Sequence, residues 1–233
     1  MYKYCKIKPP FFEIGPKTYL YGEAMLGLAK TIDKIARKYD VDIILTPQYT
    51  DISAIARETE RIFVFAQHMD PLYPGRGIGS VLPEALKAAG ATGVMLNHCE
   101  KKIALSVLSE TIKRADEIGL MTIVCADTVE EAAAIANLSP NIIVAEPSNL
   151  IGTGKSSNMD YVKETIKTIK GINPDIMVLQ GAGISNGEDV YNVIMAGAEA
   201  TGSTSGIIRN PDPGAMAEEM IFALRSAWNK LHN

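Results

Sequence analysis

An acid, an imidazole and an ammonium group each stand just after a short apolar run of this sequence. Glu146 follows the run NIIVA, His98 follows GVMLN, and Lys17 comes shortly after FFEIG. A carboxylate that is shielded from water becomes a stronger base and can take a proton from a carbon next to a carbonyl group. A neutral imidazole can donate to the carbonyl oxygen, and an ammonium group stabilises the enediolate that develops. These three residue types therefore predict proton transfer at carbon.

Three turns of small residues favour a phosphate group on the substrate. They cover residues 152–154 (GTG), 181–185 (GAGIS) and 204–206 (TSG). Backbone N–H groups in turns that lead into helices point at a bound anion. Together with the acid, the imidazole and the ammonium group, these turns predict a site for a small phosphoester.

Short apolar runs alternate with amphipathic patterns along the whole chain. Apolar runs without a polar alternation are typical of strands that are covered on both faces, as in a parallel sheet. Amphipathic helical patterns separate the runs, and we expect the fourth helix to begin at Cys99 and to end at Gly119. A helix beginning there would lower the pKa of His98 through its dipole. The predicted strands are 11–15, 42–45, 62–67, 93–97, 121–126, 141–145, 175–180 and 198–203.

Eight strand–helix units in 233 residues fit a (β/α)8 barrel, an α/β fold of about 250 residues. A doubly wound open sheet has the same alternation, and periodicity alone does not exclude it. No linker or low-complexity tract divides the chain, so we predict a single barrel domain over residues 1–233. Active sites of such barrels lie at the carboxyl ends of the strands, where the acid, the imidazole and the ammonium group all stand.

The composition is that of an ordinary globular protein, with 47% hydrophobic and 21% charged residues and a net charge of −4. No basic block invites nucleic acid or a membrane surface, and no apolar run reaches the roughly 20 residues of a membrane helix. Three cysteines without CxxC spacing and a start that makes a poor signal peptide indicate a reducing cytoplasm. The histidines and cysteines are not at metal-ligand spacing, and we expect no cofactor.

Three motifs resemble those of the triosephosphate isomerase family, and most of all its shorter archaeal-type branch. AEPSNLIGTGK resembles the family's catalytic base and lid, LNHCE its catalytic histidine segment, and QGAGISNGEDV its phosphate turn after the seventh strand. AQHMDP and PKTYLYG add weaker support. The motifs occur in the family's order and span nearly the whole chain.

The resemblance implies a role for each candidate residue. Glu146 would move the proton between adjacent carbons, His98 would polarise the substrate oxygens, and Lys17 would supply positive charge. Pro147 and the glycines of the GTG turn would act as hinges of the lid. The resemblance also implies a small phosphorylated sugar as substrate and a homo-oligomer, either a dimer or a tetramer. The residues expected at the substrate and its phosphate are Gly15, Ile151, Gly152, Gly183, Thr204 and Ser205.

One departure from the family pattern concerns the substrate. The family usually has an asparagine two residues before the lysine, whereas this chain has Gly15, followed by Pro16. The missing amide either removes one substrate hydrogen bond or leaves room for a longer substrate. We therefore expect an aldose–ketose isomerase of triose phosphates, with two alternatives: an isomerase of four- or five-carbon sugar phosphates, or a non-catalytic barrel that binds a phosphate ligand.

Overall fold

Eight parallel strands close into a barrel in a computed structural model that describes residues 7–148, 158–181 and 183–232. Each strand pairs with its neighbours in chain order, and the first pairs with the last. The strands are β1 (Phe11–Ile14), β2 (Asp42–Leu45), β3 (Ile62–Ala66), β4 (Gly93–Leu96), β5 (Met121–Ala126), β6 (Ile142–Ala145), β7 (Met177–Gln180) and β8 (Ala200–Ser203). All eight predicted strands are confirmed to within two residues, and the closed ring excludes the open sheet.

Helices follow the strands and form the outer layer. They are α1 (Gly22–Tyr39), α2 (Ile52–Glu58), α3 (Pro83–Ala88), α4 (Leu105–Ile118), α5 (Val129–Ala136), α6 (Met159–Ile172), α7 (Gly187–Met195), α8 (Ser205–Ile208) and α9 (Pro213–His232). Side-chain caps fix several helix starts: Thr128, Asn158 and Asn186 each accept a hydrogen bond from a backbone N–H of the first turn. No helix in the described ranges is long and apolar enough to cross a membrane.

The expected start of the fourth helix is wrong. A separate 3-10 turn covers Cys99–Lys101, and α4 begins only at Leu105. The cause is Asn97, which has a φ of 58° and whose Oδ1 accepts a hydrogen bond from the N–H of Ile103. This local bond holds the chain in a loop and delays the helix. The α4 dipole therefore does not act directly on His98.

Two apolar layers hold the barrel together because successive strand residues point to opposite faces. In β1, Phe12 and Ile14 pack outward in the layer beneath the helices. Phe11 points inward and packs with a second cluster that fills the barrel, and Glu13 lines the cavity above it. The inner cluster supports the floor of that cavity. Its buried members are Ile7, Phe11, Ile44, Phe65, Met121, Ile123, Cys125, Ile142, Val144, Leu179 and Ala200.

Candidate active site

A cavity of about 430 Å³ opens at the carboxyl ends of the strands. The structure brings together there every candidate residue that lies in the described ranges, whereas Ile151 and Gly152 lie outside them. The cavity lining includes Gly15, Lys17, His98, Glu146, Gly183, Thr204 and Ser205. Within the same ranges, no group of three or more His, Cys, Asp or Glu side chains is arranged to hold a metal ion.

Glu146 and His98 face each other across this cavity. Glu146 is the first residue after β6, and its backbone N–H donates to the carbonyl of Ala126 at 2.9 Å, which extends the strand pairing by one residue. His98 Nε2 lies 4.0 Å from Glu146 Oε2, and the two side chains are 15% and 20% exposed. A substrate bound in this cavity can therefore contact the carboxylate and the imidazole at the same time.

The imidazole of His98 is held in one tautomer. Its Nδ1 accepts a hydrogen bond from the backbone N–H of Glu100 at 3.2 Å, so the ring proton of the neutral form resides on Nε2, the nitrogen nearest Glu146. Burial, followed by the charge of Lys17, lowers the pKa of His98 below its usual value of 6.5. At neutral pH the ring is therefore an uncharged donor that points into the cavity.

Lys17 is fixed at the rim by its side chain and its backbone. Its Nζ donates to Glu100 Oε1 at 2.7 Å, and its carbonyl accepts from the amides of Gln48 and Gln67 at 2.8 and 3.0 Å. These bonds hold the residue at a φ of 50°. Burial opposes the charge, but the hydrogen bond and the charge of Glu100 outweigh it and raise the pKa of Lys17. The ammonium group is therefore charged throughout the neutral range.

Asn97 positions the histidine turn, a role that the sequence pattern did not reveal. Its buried amide donates to the carbonyl of Cys125 at 2.9 Å and to Glu131 Oε1 at 2.9 Å. Lys102 also pairs with Glu131, at 2.7 Å. The turn that carries His98 is thus tied to strand β5 and to α5, which limits the movement of the imidazole.

Asp127, just after β5, holds both flanks of the segment between Glu146 and α6. Its carboxylate accepts from the backbone N–H of Ser148 at 2.6 Å and from the Ser148 hydroxyl at 2.8 Å. Its backbone carbonyl accepts from the Tyr161 hydroxyl at 3.2 Å. Pro147 lies between Glu146 and Ser148, so the hydrogen bonds of Ser148 fix the direction of the backbone just after Glu146.

The turns after β7 and β8 form the opposite wall. Gly183 has a φ of 74°, which favours glycine, and its carbonyl accepts from the Ser185 hydroxyl at 3.3 Å. The Ser203 hydroxyl donates to the carbonyl of Ile184 at 2.7 Å and joins the two turns. A β-carbon on Gly206 would stand 2.8 Å from that same carbonyl, so only glycine allows this approach. Small residues thus bring backbone groups close to one another at this wall.

Gly15 does not leave the empty space that its missing side chain suggests. A β-carbon at this position would stand 3.1 Å from Glu13 Oε1 and 3.3 Å from the hydroxyls of Thr46 and Thr204. Glu13, which sequence reasoning missed as a site residue, thus brings a carboxyl group beside the lysine. The one available signal was an acid inside the apolar run FFEIG.

Comparison with known proteins identifies the family. The family model described as triosephosphate isomerase matches residues 16–203. A relative named triosephosphate isomerase from Methanobacterium bryantii is 42% identical over 209 residues, which cover 88% of this chain and 92% of that protein. Relatives of the same name from Methanothermus fervidus and Sulfolobus acidocaldarius are 40% and 36% identical, over 91% and 96% of this chain and 97% and 99% of theirs. The matches confirm the resemblance seen in the motifs, and the chain belongs to the triosephosphate isomerase family.

Proposed function

We propose that the protein interconverts glyceraldehyde 3-phosphate and dihydroxyacetone phosphate by proton transfer through an enediolate. Glu146 removes a proton from one carbon of the substrate and returns it to the adjacent carbon. His98 donates from Nε2 to the substrate oxygens, and Lys17 stabilises the negative charge that develops on them. The relatives named triosephosphate isomerase support this activity.

One observation carries the proposal: the carboxylate of Glu146 faces the Nε2 of a neutral His98 at 4.0 Å in a half-enclosed cavity. An imidazolium there would be a stronger acid but would also neutralise the base opposite it. An uncharged ring does not neutralise the carboxylate, and its Nε2 can still donate a hydrogen bond to the substrate. The same arrangement, a glutamate base with a neutral histidine, is a known example of divided acid and base roles in this family.

We assign the phosphate group to the wall formed by the turns after β7 and β8. Gly183, Thr204 and Ser205 line the cavity there. Ile151 and Gly152 lie outside the described residues, and by the family resemblance they would belong to a lid that excludes water. Exclusion of water strengthens the base and protects the enediolate from losing its phosphate. Gly15 borders the same space beside Lys17.

The test is a coupled assay of both triose phosphates on the purified protein and on Glu146→Gln. Removing the base is expected to lower kcat by about 100- to 10,000-fold. The matched control is Glu164→Gln, which makes the same charge change on the exposed face of α6 and leaves turnover unchanged. Full turnover by Glu146→Gln, or an inactive but folded wild type, would refute the assignment.

Two companion measurements separate the alternatives. If kcat/KM is higher for a tetrulose or pentulose phosphate than for the triose phosphates, the protein is an isomerase of longer sugars. If phosphate esters bind in a calorimeter but no carbon-bound hydrogen exchanges in deuterated water, the protein is a binding barrel. The crowding around Gly15 argues for the shorter substrate.

We infer a homo-oligomer in the cytoplasm as the setting of this activity. Leu105 and Val107, in the first turn of α4, are 51% and 37% exposed, and we take this apolar surface as the candidate contact between copies. Cys99 and Cys125 are free thiols, as suits a reducing compartment.

A further inference from the structure

Glu13 is a carboxyl group that the proposed reaction does not use. It is the third residue of β1, its side chain points into the barrel, and it lines the same cavity as Glu146 and His98. The residue is only 8% exposed. Its Oε1 accepts a hydrogen bond from the Thr46 hydroxyl at 2.8 Å. Burying a carboxyl group is costly, so its presence in the cavity floor needs an explanation.

Two glycines on either side make room for this carboxyl group. Gly202 pairs with Glu13 across the β1–β8 contact, and a β-carbon on it would stand 2.9 Å from Glu13 Oε2 and 2.6 Å from the Glu13 carbonyl. A β-carbon on Gly15 would stand 3.1 Å from Oε1. The carboxyl group therefore occupies the space into which a side chain at position 15, two residues before Lys17, would project.

The surroundings of Glu13 favour its neutral form. Burial, together with the charge of Glu146, raises its pKa from 4.5 to about 7, while the Thr46 hydrogen bond and the charge of Lys17 oppose the rise. Cys125 faces the same region, and burial and the charges of Glu146 and Glu13 raise its pKa well above 9.0. At and below neutral pH, a large fraction of Glu13 therefore carries an O–H that can act as a donor.

We propose that Glu13 is a specificity-determining substrate contact whose protonated carboxyl group donates a hydrogen bond to a substrate oxygen beside Lys17, where Gly15 offers no side chain. This inference rests on the proposed isomerase function and names one contact within it. Only a hydrogen bond is involved, and no proton is transferred. An ionised Glu13 would repel both the phosphoester and the enediolate, so binding selects the neutral form.

The first test is the pH dependence of kcat/KM for wild type and Glu13→Gln. The wild type is expected to lose kcat/KM as pH rises through about 7, because the donor is then deprotonated. The glutamine amide has nearly the same shape and donates at every pH, so that loss disappears in the variant. Ionisation of the substrate phosphate affects both proteins equally and cancels in the comparison.

Two further variants separate a substrate contact from a merely structural role. Thr46→Val removes the bond that favours the ionised form, so it moves the alkaline loss to higher pH. Glu13→Val removes the donor and lowers kcat/KM by about tenfold to a hundredfold. Adding Gly15→Asn to Glu13→Val restores part of this loss, because the amide then reaches the vacated space. Circular dichroism and thermal unfolding check that each variant is folded.

The outcomes distinguish this inference from the function on which it rests. An inactive wild type overturns both. An active wild type with an alkaline profile that is the same in Glu13→Gln and Thr46→Val overturns the Glu13 contact alone. A profile that flattens in Glu13→Gln and shifts upward in Thr46→Val supports it.

Discussion

The His98 ring shows how a few local contacts set the chemistry of a single residue. The Glu100 N–H assigns the ring proton to Nε2, and burial with the nearby Lys17 keeps the ring uncharged. The 3-10 turn that supplies this N–H is only three residues long, and the lowering of the His98 pKa that was expected from a helix dipole comes instead from burial and the charge of Lys17. The role of His98 followed from its type and position, but the cause of its low pKa did not.

We predict that His98 titrates below 6.5 and that Lys17→Met raises its pKa. The positive charge of Lys17 disfavours the imidazolium, so removing that charge makes protonation easier. The acid limb of kcat/KM is then expected to move to higher pH in the variant. An NMR titration of the imidazole measures the pKa directly. A wild-type His98 that titrates at or above 6.5 would contradict this account.

Glu13 marks the limit of sequence reasoning at the residue scale. Glu146, His98 and Lys17 could be proposed from the sequence because they follow strands and match known motifs, whereas Glu13 lies inside a strand. Its role depends on Gly202, which is far away in the chain and becomes its neighbour only when the barrel closes. No local pattern contains that pairing.

At the scale of elements, the strands were predictable and the connections were not. Short apolar runs located seven of the strands, because a barrel buries both faces of its sheet, and the weaker run AEATGS located the eighth. The 3-10 turn at Cys99–Lys101 and the short helix α8 were missed, since a single side-chain bond or a close backbone approach decides them. The turn that carries α8 depends on Gly206 at one such approach.

We predict opposite effects for two glycine-to-alanine changes. In Gly206→Ala the new β-carbon would stand 2.7 Å from Ser203 Oγ and 2.8 Å from the Ile184 carbonyl, so we expect a loss of about 1–3 kcal/mol of stability and a higher KM. Gly27→Ala is the matched control: it lies in α1 with nothing within 4 Å, and it should gain about 0.5–1 kcal/mol. Urea unfolding measures the free energy of unfolding of both variants. A stabilised Gly206→Ala would contradict this prediction, because it would show that the turn can accommodate a β-carbon.

At the scale of the whole molecule, the closed barrel leaves no strand edge for association. Contacts between copies therefore use helices or loops rather than strand pairing, and Leu105 and Val107 expose apolar surface at the start of α4. The homo-oligomer implied by the family resemblance stays a prediction, and this surface is where we expect its interface.

We predict that the wild type is a dimer or tetramer and that the double change Leu105→Glu and Val107→Glu lowers its mass. Two carboxylates in place of apolar side chains add repulsion and a desolvation cost to any contact there. Light scattering after size exclusion gives the mass. Ile172→Glu, at an exposed apolar position at the end of α6, is the control and keeps the wild-type mass. A monomeric wild type would rule out this interface.

The seam between β1 and β8 also sets the order in which the protein acquires its activity during synthesis. Glu13 and Lys17 leave the ribosome well before Gly202, Thr204 and Ser205, which lie far later in the sequence. Until the eighth strand emerges, β1 has an unpaired edge and Glu13 lacks the glycine against which it packs. A nascent chain that ends before residue 200 is therefore expected to remain inactive. The unpaired edge of β1 would be accessible to chaperones at that stage.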